Sequence, residues 1–167
     1  MVARVAIALV PVLLLAGCGG PAEPPVGVGA ASVTCNSVHF AGSGTADWRR
    51  QSAHIGPFGL GGPSHGGHPG PDFQRGGFNR DGLLRIKTPT LVEGQRRVEL
   101  SVPAGERERV GILTVDPKRG YARVTFVPCA DRQRTIWAGG LVLRDRAPVR
   151  LAVRVGDGPL RELLVGG

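Results

Sequence analysis

The chain has 167 residues and a formal charge of +8, which suits one domain with a sizeable core. Its 21 basic residues include 19 arginines, and apart from Arg4 the basic residues are scattered over Arg49–Arg161 with no run longer than two. Such scatter argues against the basic stripe of a nucleic-acid-binding protein.

Arg4 precedes an apolar run from Val5 to Leu15. Eleven residues are too few to span a bilayer, which takes about 20. They fit the core of a signal peptide. Leu15-Ala16-Gly17-Cys18 then reads as a bacterial lipobox, with cleavage before Cys18 and a diacylglyceryl group on its thiol. The plainer reading is an ordinary signal peptide with an incidental cysteine. Under the lipobox reading, residues 1–17 are the signal peptide and 18–32 a lipidated cysteine with a flexible Gly/Pro/Ala tether. Residues 33–167 are then the folded domain. The expected location is the outer face of the cell membrane, held by lipid, beside envelope proteins and anionic wall polymers.

Cys35 and Cys129 are the remaining cysteines. In an oxidising compartment two cysteines most simply pair, the alternative being two free thiols. Cys35 sits on an expected strand, Val33 to Phe40. Ser43 to Ala53 is polar around Trp48, which reads as exposed beside Arg49 and Arg50. His54 to Leu60 is a short apolar segment. Gly61 to Gly82 holds eight glycines and three prolines, which exclude a helix or a regular central strand. It reads as a long exposed loop, either functional or disordered.

From Leu83 onward the pattern alternates. Val98, Leu100 and Val102 take turns with Glu99 and Ser101. Ala122, Val124 and Phe126 do so with Arg123 and Thr125, and Leu151, Val153 and Val155 with Ala152 and Arg154. Leu83–Val92, Val110–Val115, Leu141–Leu143 and Leu160–Val165 add apolar segments. Turn formers separate them at Pro103–Gly105, Asp116–Gly120, Gly139-Gly140 and Gly156–Pro159. Period-two runs at such spacing predict an all-β fold, a single antiparallel β-sandwich of immunoglobulin-like or similar kind. Glu106–Arg109 allows one helical turn at most.

Several of these stretches resemble uncharacterised secreted proteins and lipoproteins of actinobacteria. The residues concerned are Gly56-Pro57-Phe58, Leu91-Val92-Glu93-Gly94, Val98 to Pro103, Val124 to Cys129 and Trp137 to Leu143, within residues 54–156. The resemblance implies an all-β domain and an extracytoplasmic address, and no function. Members of that group often carry another cysteine pair near the C-terminus, which this chain lacks.

Chemistry-bearing motifs are sparse. Gly62-Pro63-Ser64-His65-Gly66 matches the G-x-S-x-G elbow of serine hydrolases, but the glycines and prolines around it leave no helix to follow the serine. No nucleotide-binding loop occurs. Trp137 reads as a core or strand-edge residue. The expected function is therefore a non-enzymatic binding or interaction module without a cofactor. Its expected contact surface is the loop at 56–80, where Phe58, Phe73 and Phe78 offer aromatic anchors and His65, His68 and Arg75 offer cations. The alternative is a zinc- or copper-binding envelope protein using His54, His65, His68 and Asp72, although a glycine-rich loop supplies little of the rigid support a metal site needs.

Overall fold

The computed structural model describes residues 25–37, 48–61, 70–74, 77–116 and 120–166. Cys18, Ser64, His65, His68 and Arg75, singled out from the sequence, lie outside them.

The fold is an all-β sandwich with twelve strands among the described residues: β1 (Ala30–Val33), β2 (Ala53–Ile55), β3 (Phe58–Leu60), β4 (Leu84–Lys87), β5 (Thr90–Glu93), β6 (Val98–Ser101), β7 (Val110–Leu113), β8 (Arg123–Phe126), β9 (Arg134–Trp137), β10 (Gly140–Leu143), β11 (Val149–Val155) and β12 (Arg161–Val165). One helical turn, α1 (Trp48–Gln51), precedes β2, and a 3-10 turn at Ala104–Glu106 follows β6. The first layer is a five-stranded sheet in the order β1-β8-β6-β11-β12. All its pairings are antiparallel except β1 with β8, which run parallel.

The remaining strands form sheets β2-β3-β5-β9 and β4-β10-β7. These two share one ladder. Lys87 faces Gly140 and Thr90 faces Trp137, so the register continues unchanged from β4/β10 into β5/β9. Thr88 N–H bridges the gap by donating to Gly139 O at 3.1 Å. Gly139-Gly140, expected as a turn, is thus a bend in a continuing ribbon. Close approach requires glycine there, since a Cβ on Gly140 would sit 1.9 Å from the Ile86 carbonyl oxygen.

The alternating apolar side chains of both layers meet in one core. Leu100, Val124, Leu151 and Val153 from the five-stranded sheet join Phe58, Val92, Trp137 and Leu141 from the bent ribbon. Trp137 is buried, as its sequence setting suggested, and Nε1 donates to Thr34 O at 3.0 Å.

Two expected boundaries move. Residues 30–32, placed in the tether, belong to β1, because their backbone pairs with Arg123 to Thr125. The strand ends at Val33, and Cys35 lies in a 3-10 turn, Cys35–Ser37, instead of on the strand itself. Upstream, Val26 is buried against Leu113 and Val142. Its carbonyl oxygen lies where a Cβ on Gly111 or Gly120 would sit, at 2.8 and 2.5 Å, so those glycines open the channel it occupies. The loop expected at 61–82 is also anchored within the described residues, where Gly70, Pro71 and Phe73 are buried.

Cys35 and Cys129 form a disulfide with a Cα–Cα distance of 4.9 Å. It ties the segment after β1 to the segment after β8.

Candidate binding surface

The structure divides the six residues expected to form a contact surface. Phe58 is fully buried, because β3 pairs on both sides, with β2 and β5, and its ring packs 6.1 Å from Phe126. Phe73 is 1% exposed and presses on Gly166, where a Cβ would meet its ring at 2.1 Å. Neither can anchor a partner; both are core residues. Phe78 is 46% exposed, with the Arg146 guanidinium 5.3 Å from its ring centroid. The same arginine donates to Phe73 O, which pins this end of the segment to the turn after β10.

The histidine and carboxylate of the metal alternative are each engaged locally. His54 is exposed; its Nδ1 donates to Ser52 O at 3.2 Å and its ring stands edge-on to Trp48. Asp72 Oδ1 accepts from Gln74 N–H at 2.9 Å. Among the described residues these two do not join a three-residue ligand group. The group that does form is Cys35, Cys129 and Asp131. Its sulfurs are bonded to each other and offer no thiolate to a metal.

Trp48, expected to be exposed, is 3% exposed. Its Nε1 donates to Glu93 Oε1 at 3.1 Å, while Arg49 and Arg134 hold the same carboxylate at 2.5 and 3.0 Å. Burial pushes the Glu93 carboxyl up, but the donors Arg49, Trp48 and Arg134 outweigh it and hold the group below its ordinary range. A carboxylate kept ionised by three donors serves as a structural acceptor for α1. A second hub centres on Arg109. Its Nε and Nη2 grip both oxygens of Asp145 at 3.1 and 2.5 Å, and Nη1 reaches Glu106 at 2.5 Å. Backbone carbonyls of Ala147 and Pro148 take further donors. The hydrogen bonds from Arg109 hold Asp145 below the usual carboxylate range. Its partner in the chain is therefore Arg109, not its neighbours Arg144 and Arg146.

The outer face of the five-stranded sheet has a different character. Register places Arg154, Glu99, Thr125 and Ser32 in one row across β11, β6, β8 and β1. Arg97 flanks this row, since its carbonyl accepts from Gly156 N–H at 2.8 Å. Arg97, Glu99, Thr125, Arg154, Gly156 and Asp157 line a depression of about 380 Å³. Glu99 lies 3.7 Å from Arg123. Among the described residues, no hydrogen bond or ion pair engages the guanidinium of Arg97 or Arg154. The depression thus presents these two guanidiniums, a hydroxyl and a turn backbone beside the carboxylates of Glu99 and Asp157. The guanidiniums and the hydroxyl are groups that suit an oxyanion.

Sequence reasoning missed this surface, although the signal was present. The polar alternates Glu99, Arg123, Thr125 and Arg154 were visible as the solvent side of three strands; their neighbourhood depends on strand order. No protein-family model, curated protein or solved structure matches the chain.

Proposed function

We propose that the protein is an extracytoplasmic lipoprotein, cleaved before Cys18 and anchored through lipid on that residue. Its β-sandwich acts as a non-enzymatic binding module for an anionic constituent of the cell envelope. The N-terminal run ending in Leu15-Ala16-Gly17-Cys18 supports the address, and so does the resemblance to actinobacterial lipoproteins. The Cys35–Cys129 disulfide fits an oxidising compartment. The observation that carries the binding reading is the sheet face on which, among the described residues, Arg97 and Arg154 form no ion pair around a polar depression that Glu99 and Asp157 also line.

Two measurements test it. Intact-mass analysis of the membrane fraction should find a chain starting at Cys18 with added lipid, and Cys18→Ala should remain unprocessed. A soluble wild type with a free Cys18 thiol refutes the anchor. Purified mature protein should sediment with envelope fragments and be released by added salt, because screening shortens to about 3 Å at 1 M. Retention that is indifferent to salt refutes an anionic partner.

A further inference from the structure

The sandwich has two unlike ends, and the direction of β1 distinguishes them. The backbone leading to β1 is fixed at one end, where Gly27 N–H donates to Arg107 O at 2.9 Å and Val28 N–H to Gly120 O at 3.1 Å. From there the chain runs parallel to β8 and reaches the disulfide at the other end. β1 itself, Ala30 to Val33, covers three residue steps, or about 10 Å of extended strand. The depression lies toward the far end. Its central row is level with Ser32, and Arg97 and Gly156 lie two register positions beyond it. At that same end Gly94, Gln95, Ala130, Asp131, Arg132 and Gln133 line a second hollow of about 460 Å³.

If Cys18 carries the lipid, seven residue steps separate the anchor from Pro25, at most about 25 Å when fully extended. A tether that short keeps the Arg107–Gly120 end nearest the bilayer. The Arg97–Arg154 depression is then carried on the side of the domain away from the membrane.

We infer that this depression is a subsite for a phosphodiester group of an envelope polymer, approached from the side away from the membrane. The inference rests on the proposed anchored binding module and gives it a site, a ligand chemistry and an orientation. Arg97 and Arg154 flank the hollow as bidentate donors, and Thr125 lines it from β8, with Glu99 between Thr125 and Arg154 in the row. Guanidinium forks match the geometry of a phosphate with two free oxygens. Glu99 in the lining lies 3.7 Å from Arg123, and Asp157 lines the hollow from the hairpin turn. These two carboxylates repel an extended anionic surface, so the lining favours a single negative group seated at the two guanidiniums.

The test uses the mature chain with Cys18→Ser, so that lipid does not decide the outcome. Binding is measured to poly(glycerol phosphate), and separately to vesicles of one part phosphatidylglycerol to three parts phosphatidylcholine. The variant Arg97→Ala with Arg154→Ala is compared with Arg80→Ala plus Lys87→Ala, which removes the same charge from other parts of the surface. The expected result is polymer binding about tenfold weaker in the first variant and little changed in the second. Circular dichroism of each variant establishes that it is folded; if the alanine pair does not fold, Arg97→Gln with Arg154→Gln takes its place. Equal loss in both variants overturns the site but leaves an anion-binding module standing. Binding to vesicles in preference to polymer, lost in the first variant, overturns the polymer as the ligand of this site. Absence of wild-type binding to both probes overturns this inference and the anionic reading together.

Discussion

Breaking the Cys35–Cys129 bond should cost the domain a large part of its stability. The bond closes a ring with a sequence separation of 94, for which the chain-entropy model gives roughly 4 to 5 kcal/mol as an upper figure. Part of that effect falls on β1. This strand has four residues and one partner, β8, at the sheet edge. Apart from the disulfide, its C-terminal side is held by Val127 N–H donating to Val33 O at 2.9 Å and by the Trp137 indole on Thr34 O. Two hydrogen bonds of about 1 kcal/mol each do not replace ring closure. The double variant Cys35→Ala with Cys129→Ala should therefore lose about 3 to 4 kcal/mol. With a urea slope near 2 kcal/mol per M, the unfolding midpoint falls by about 1.5 to 2 M. Trp48 and Trp137 are both buried, so tryptophan fluorescence follows the transition from two places in the fold. A midpoint shift below about 0.3 M would refute the reasoning. It would mean that the unfolded chain gains little freedom when the ring opens.

Two further outcomes follow from the packing. Phe73→Ala should destabilise the domain by about 3 to 5 kcal/mol in chemical denaturation, because the ring is buried against Gly166; unchanged stability would show that the ring lies outside the core. Arg109→Met should cost about 1 to 2 kcal/mol near neutral pH, the half-exposed Asp145 being partly screened. Because the folded-state pKa of Asp145 is lowered, its contribution is present above the ordinary carboxylate range and is lost as pH falls through the folded value. The gap between wild type and variant should then narrow below about pH 4, and a constant gap would contradict it.

Strands such as β6, β8 and β11 are legible in the sequence because each buries one face, so apolar residues recur at every second position, whereas β7 and β10 are buried on both faces and read as continuous apolar runs. Val98-Glu99-Leu100-Ser101 and Arg123-Val124-Thr125-Phe126 show the pattern directly, and their burial follows it. Trp48 reads as exposed because its neighbours Arg49 and Arg50 are polar. What holds it in place is the carboxylate of Glu93, forty-five positions away, which no local pattern announces. Phe73 misleads for a related reason. Glycine and proline around it exclude regular structure, but they do not exclude an irregular segment that presses one ring into the core. Gly139-Gly140 has the composition of a turn, and only the unbroken register of the ladder across it reveals a bend.

The direction of β1 lies beyond the sequence in a more consequential way. An apolar run containing Cys35 predicts a strand but carries no information about whether its neighbour runs with it or against it. Antiparallel pairing with β8 would have brought the chain in beside Arg97 and Gly156. A short tether would then hold the depression against the bilayer, where lipid headgroups would be its natural anions. Parallel pairing reverses that geometry. The chain arrives at the Arg107–Gly120 end, and Thr125 and Arg154 lie toward the other. If the chain is anchored through Cys18, the parallel edge strand turns the depression away from the bilayer, toward the phosphodiesters of an envelope polymer and away from those of lipid headgroups.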